Sequence, residues 1–281
     1  MPNSTSTFQF LFITSLVGLV LVFLVFFNEL FRIDLRHIKQ CFILAIESFA
    51  FNLFLVLGSK DMDSTTVSSV ISAYFVFIPL LEFIIFKTVP KLNTILAIIL
   101  ALIGIPLIVG LNFGNFQNKE MLFLLIADLI IALNIVTIGS FAKGSNPAIL
   151  AMGQLFFTAI ISFACWYLES KVNHSHMTFP KEPIFWGSVI FISFFIRGLY
   201  TVVQTYAQRF VSPVNAALIF SSEIIMTLFL SESVYNFIYK EQYNETITTT
   251  KIVGVIFMLC GILVSEIDFI GWLSSKRKEV K

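Results

Sequence analysis

Along the chain, apolar residues gather in runs of about twenty, separated by short polar connections. Nine such runs predict helices, at 9–27, 38–58, 64–86, 92–111, 120–141, 147–168, 184–206, 213–232 and 250–266. Each falls in the range of roughly 17–25 residues that spans a hydrocarbon core of about 30 Å. The pattern predicts an all-α, polytopic membrane helical bundle. The longest connections, 170–183 and 233–249, are too short for a separate domain. The first run follows Met1-Pro-Asn-Ser-Thr-Ser-Thr7, which carries no Lys or Arg, and its basic residues come after it. A cleaved leader has the opposite arrangement, so 9–27 is read as a retained span.

Composition supports this class and removes others. Hydrophobic residues make up 57% of the chain and charged ones 12%, with a mean hydropathy of +0.91. A soluble surface needs roughly 25–35% charge. The 33 Phe residues suit packing and lipid contact and name no substrate. A net charge of +1 provides no basic field for nucleic acid. Cys41, Cys165 and Cys260 lie in or at the ends of apolar runs, without zinc or disulfide spacing. His37, His174 and His176 fall near span ends or in loops, where solvent or headgroup contact is their expected role. There is no phosphate-binding loop, HExxH motif or nucleophile elbow, so neither an ATP-driven pump nor an enzyme is expected, and no cofactor or metal.

Basic residues set the expected orientation. With the N-terminus outside, inside segments hold Arg32, Arg36, Lys39, Lys87, Lys91, Lys143, Arg209, Lys276, Arg277, Lys278 and Lys281. Outside segments hold only Lys60, Lys119, Lys171, Lys181, Lys240 and Lys251. This bias predicts a cytoplasmic C-terminus and a multi-pass protein of the cell inner or plasma membrane. Glycosylation triplets at Asn3, Asn173 and Asn244 occur at a frequency that chance supplies.

Charges inside the spans need a physical reason. Glu47, Asp128, Arg197 and Glu223 each lie near the middle of a run. At mid-bilayer a charge costs at least about 2.5–3.5 kcal/mol on insertion scales, so it faces a bundle interior or a cavity. Four at similar depth suggest a polar route, or else a static Arg–carboxylate network. Arg197, Tyr200, Gln204 and Gln208 follow at helical spacing and predict one polar stripe. Arg197 offers a bidentate fork to a carboxylate or phosphate. Asn52 and Asn134 are loosely co-facial with Glu47 and Asp128, while Gln154 adds a further polar group and Tyr74 an amphipathic wall. Pro79 and Pro106 sit inside spans as candidate bending or gating points. Gly104, Gly254 and Gly261 permit close helix approach.

Several segments together resemble the EamA-like family of the drug/metabolite transporter superfamily. Gln204-Thr-Tyr-Ala-Gln-Arg-Phe-Val-Ser-Pro-Val-Asn-Ala-Ala-Leu-Ile-Phe-Ser-Ser-Glu223 is similar to the basic turn and “S-x-E-P” span of that family. Leu230-Ser-Glu232 resembles its “LGE” boundary, and Gly254 to Leu263 its final glycine-spaced span. Val67–Phe86 with Pro79, Lys91–Gly110 with Gly104, and Asp128–Ala164 with Pro147 and Ala148 resemble further elements. Two positions depart from the pattern: Ile224 stands where Pro usually follows the Glu, and the first-half boundary is degraded at Lys87-Thr-Val-Pro90.

The resemblance implies two inverted repeats. Residues 1–114 would form an incomplete first repeat of four spans, lacking the family's opening span. Residues 115–270 would form the second, of five, and 271–281 a basic cytoplasmic tail. The implied activity is alternating-access secondary transport of a small organic metabolite or drug-like solute. Glu47, Asp128, Gln154, Arg197, Tyr200, Gln204 and Glu223 are the candidates for binding or coupling. A membrane structural or interaction protein derived from a transporter is the alternative. Besides the solute, the expected partners are membrane lipid and no nucleic acid; a coupled proton or sodium ion and a homodimer are left open.

Overall fold

The computed structural model describes residues 5–60, 62, 64–87, 89, 91–109, 119–174, 179–220, 223, 226 and 248–266. Leu230-Ser-Glu232, His176, the connection at 233–247 and the tail at 271–281 lie outside the described residues. The described elements are all helical. Helix α1 (Thr7–Phe26) starts at Ser6, whose hydroxyl oxygen accepts from the Phe8 N–H at 3.2 Å. A 3₁₀ turn, Phe27–Arg32, extends it. Helix α2 (Leu35–Gly58) is capped by Asp34, whose carboxylate accepts from the His37 N–H at 2.8 Å. That backbone bond is the main reason the Asp34 carboxyl lies below the usual carboxylate range.

Among the described residues, five segments are long and apolar enough to cross a bilayer: Thr7–Arg32, Leu35–Gly58, Lys119–Ala142, Pro147–Val172 and Pro183–Ala207. They correspond to the predicted spans at 9–27, 38–58, 120–141, 147–168 and 184–206. The expectation of nine such spans is thus met for five. The run at 64–86 is two helices, α3 (Ser64–Ile71) and α4 (Tyr74–Phe86). Between them the Ser72 hydroxyl donates to the Ser68 carbonyl at 2.6 Å, and the Ala73 N–H bonds Val70 three residues back. The Ser72 N–H keeps its own bond to the Ser68 carbonyl at 3.0 Å, and the tightened turn at Ala73 ends α3 there. Helix α5 (Leu92–Val109) has a shorter apolar stretch, Leu92–Gly104. Helix α10 (Pro213–Phe220) falls at the start of the run at 213–232, most of whose remaining residues lie outside the described ones. Helix α11 (Thr249–Glu266) has an apolar stretch at Thr249–Gly261. The other helices are α6 (Lys119–Ala142), α7 (Pro147–Val172), α8 (Pro183–Ile192) and α9 (Thr201–Ala207).

The chain divides into two compact units, Met1–Val56 with Leu133–Pro213, and Leu57–Ala132 with Val214–Lys281. In the first, α1 packs along α7, and Ser6 donates to Glu169 near the far end of that helix, so the two run antiparallel. Asn146 caps α7 by accepting from the Ala148 N–H at 3.0 Å, with Pro147 in the first turn, where its missing N–H costs nothing. Cys41 and Leu44 of α2, Ile138 of α6, and Ile149 and Leu150 of α7 form one apolar cluster. Gly153 makes this closeness possible: a Cβ there would lie 2.6 Å from the Cβ of Cys41. In the second unit α11 packs on α5 through Gly104, where a Cβ would stand 2.7 Å from the Gly254 carbonyl oxygen. Backbone contact through small residues is the usual means of helix association in lipid.

Outward faces are strongly apolar, with Leu24 at 72%, Ile84 at 70% and Ile184 at 84% exposure. Such surfaces suit hydrocarbon and not water.

Gly153→Ala is expected to destabilise the detergent-solubilised protein by about 1–3 kcal/mol through overpacking against Cys41. Gly187→Ala in α8, where a Cβ meets nothing within 4 Å, should be neutral or raise stability by up to about 1 kcal/mol. Thermal unfolding of the two variants side by side checks this contrast.

Candidate functional site

Arg197 organises the polar interior of the first unit. Between α8 and α9, residues Ser193–Tyr200 form a π-helical turn. Closing bonds five residues apart widens the helix there, a feature common at functional sites. The turn packs on α1 at Gly18, where a Cβ would lie 2.6 Å from the Cβ of Arg197 and 3.3 Å from the Ser193 carbonyl oxygen. Without a side chain at Gly18, the backbone of the turn comes close enough to tuck the guanidinium inside. Arg197 is 7% exposed. The ion pairs among the described residues are Arg32–Glu29 and His37–Asp34, so no carboxylate there pairs with Arg197. The static Arg–carboxylate network does not form among these residues.

Gln204 and Gln208 are buried on the same segment, as the stripe predicts, but Tyr200 is 40% exposed. The wider turn advances fewer degrees per residue, which rotates Tyr200 away from the face shared by Arg197 and Gln204. Thr201 and Thr205 join the inward set in its place. Gln154 is buried on α7, and Thr158 and Ser162 follow it at four-residue spacing. Several buried atoms here have no hydrogen-bond partner: Ser15 Oγ, Gln154 Oε1, Ser162 Oγ, Ser193 Oγ, Gln204 Nε2, and both side-chain polar atoms of Gln208. Buried polar groups are ordinarily paired, so these are inward groups with bonding capacity to offer a ligand or water. Ser15, Gly18, Ser162 and Ser193 escaped the sequence reading. Their only signal is small-residue spacing, which ordinary membrane packing also produces.

The two interior carboxylates differ. Glu47, also in the first unit, accepts from Asn134 Nδ2 at 3.1 Å and Thr137 Oγ1 at 3.0 Å. Asn134 therefore serves Glu47 on another helix, while Asn52 bonds locally to the Ser48 carbonyl at 2.6 Å. Asp128, in the second unit, is fully buried, and neither carboxyl oxygen has a partner. Glu223 is exposed in the same unit. Pro79 is buried in α4, where it removes the donor to the Phe75 carbonyl. Pro106 borders a 190 Å³ apolar hollow with Val76 and Phe77. Within the first unit, Glu47, Gln154, Arg197 and Gln204 are all inward groups; Asp128, Glu223 and the two prolines belong to the second.

The sequence model of the EamA-like transporter family matches residues 1–110 and 118–266. The chain belongs to the EamA-like transporter family. This EamA-like protein is 23% identical over 229 residues to an uncharacterized transporter of Archaeoglobus fulgidus, covering 80% of this chain and 68% of that one. It also shares its fold with a protein of known crystal structure, at a TM-score of 0.68 and 14% identity, covering 94% of this chain and 88% of the other. It is a multi-pass integral membrane protein and a transporter of the drug/metabolite superfamily. Family membership agrees with the expectation that it is not an enzyme.

Replacing the two carboxylates should separate their roles. Glu47→Leu strands the Asn134 amide and the Thr137 hydroxyl, and should cost about 1–3 kcal/mol. Asp128→Leu removes a buried group that has no partner, and should leave stability unchanged or raise it. Thermal unfolding of both purified variants provides the comparison; equal losses would contradict the difference in their surroundings.

Proposed function

We propose that this EamA-like protein is a secondary transporter of a small organic solute bearing an anionic group, working by alternating access. The observation carrying this reading is the buried Arg197 guanidinium, with no carboxylate partner among the described residues. A charge held in a membrane bundle without a fixed counter-charge is suited to receive one from a ligand. The guanidinium fork matches a carboxylate or phosphate. Gln154 and Gln204 would supply directed hydrogen bonds beside it, with Tyr200 at the margin.

Asp128 is the better candidate for a coupled proton or sodium ion, because Glu47 is already committed to Asn134 and Thr137. Glu223 would serve a cationic part of the solute, and Pro79 and Pro106 would be bending points during the cycle. The reading includes nine spans, inverted repeats at 1–114 and 115–270, an outside N-terminus and the basic tail at 271–281 in the cytoplasm of an inner or plasma membrane. Each compact unit draws on both halves of the sequence, which suits a cycle in which two bundles move as bodies.

The test is initial uptake or counterflow in sealed proteoliposomes, normalised to folded protein, for anionic solutes selected by thermal shift. Arg197→Leu should weaken apparent affinity about tenfold or more, the effect of losing one charge-assisted contact. Arg197→Lys should fall between, keeping the charge without the fork. An uncharged analogue should be less affected. Near-normal uptake of the anionic solute by Arg197→Leu would refute the recognition role. Folded protein that moves none of the solutes saturably would favour the non-transporting alternative.

A further inference from the structure

A hollow in the first unit has a chemistry different from that of its polar interior. It is a 490 Å³ groove between α1, the Phe27–Arg32 turn, α2 and α7, lined among others by Leu19, Phe23, His37, Ile38, Met152 and Phe156. Its volume lies in the range of roughly 300–1,000 Å³ typical of ligand cavities. His37 is the one titratable lining residue besides Cys41, and its Nδ1 is already 2.7 Å from Asp34. A polar solute would find almost nothing to bond; a hydrocarbon chain fits the lining. Phe23, Ile38 and Phe156 are 37–48% exposed, so the groove opens at the surface of the protein.

One end of the groove meets a basic boundary. His37 and Ile38, which line it, are bracketed on α2 by Arg36 and Lys39. The Arg36 guanidinium lies against Gly144, where a Cβ would stand 3.1 Å from Nη2, and Lys143 is the adjoining residue. Ser145 donates to Gln40 Oε1 at 2.7 Å, holding the start of α2 to the α6–α7 turn. The nearby acids are engaged: Glu29 accepts from Arg32 and Asn146, and Asp34 from His37. Arg36, Lys39 and Lys143 have no ion pair among the described residues. An apolar groove ending at uncompensated cations at a span boundary complements a lipid with a negative headgroup.

We propose that this groove seats an acyl chain of an anionic glycerophospholipid, whose phosphate headgroup is held by Arg36, Lys39 and Lys143. The apolar lining selects a lipid rather than a free anion, and the cations select a negative headgroup.

Purified full-length protein in neutral detergent would be exposed to equimolar phosphatidylglycerol and phosphatidylcholine with identical chains. Bound lipid would be read by native mass spectrometry, with thermal unfolding as a second readout. Phosphatidylglycerol should be retained preferentially, and the preference should fall about fivefold for each basic residue removed. Lys39→Gln/Lys143→Gln spares the Arg36 contact with Gly144 and guards against misfolding, while Arg36→Lys should keep the preference. Ile38→Trp, at an exposed lining position, should reduce retention of both lipids by filling the groove. The proposal is overturned by equal retention of the two lipids, by a preference that survives the charge changes, or by Ile38→Trp leaving retention intact. It is also overturned if inorganic phosphate alone gives the same stabilisation, or if mass spectra show a second copy of the chain instead of lipid.

Discussion

The interior of the first unit depends on one close approach, between Gly18 of α1 and the π-helical turn that carries Arg197. A guanidinium is among the most expensive groups to place inside a membrane protein. Reaching the interior requires both a backbone that turns it inward and a neighbour that yields space. The widened turn does the first and the missing side chain at Gly18 the second. From this contact follow the burial of Gln204 and Gln208 further along the same segment and the displacement of Tyr200 to the surface. Arg197 is kept inside by surrounding packing and without an opposing carboxylate among the described residues.

The two interior acids show the opposite solutions. Glu47 is satisfied by two donors from α6, so it specifies how α2 and α6 align. Asp128 is buried with both oxygens unpaired, a placement that gives little to packing and is costly unless some state of the protein uses it. Elsewhere, small residues set the spacing: Gly153 against Cys41, and Gly104 and Gly261 between α5 and α11. Those contacts shape the scaffold and carry no chemistry. The division between scaffold and candidate site thus follows hydrogen-bond satisfaction more closely than burial.

The membrane class and the five long spans were legible because continuous apolar length is the dominant signal in such a sequence. The interruption at Ser72–Ala73 was not, because a turn tightened at Ala73 leaves the hydropathy of 64–86 unchanged. Arg197, Gln154, Gln204, Glu47 and Asp128 could be picked out as polar groups at membrane depth. Their surroundings could not. Asn134 lies on the helix of Asp128 but bonds Glu47 across to α2, a pairing that spacing within one helix cannot reveal. α-Helical geometry puts Tyr200 on the polar stripe, and the π turn changes the phase at that residue. Gly18 carries no signal in the sequence that sets it apart, because its role comes from a neighbour on another helix.

The central claim is that Arg197 lies where an aqueous ligand can reach it. Arg197→Cys, in a background with Cys41, Cys165 and Cys260 replaced by serine or alanine, would place a single thiol at that position. The measurement is its rate of modification by a membrane-impermeant, cationic methanethiosulfonate in folded, reconstituted protein. The account predicts labelling of the folded protein. A thiol that reacts only after unfolding, in protein that is otherwise native, would contradict it and make Arg197 a sealed structural charge.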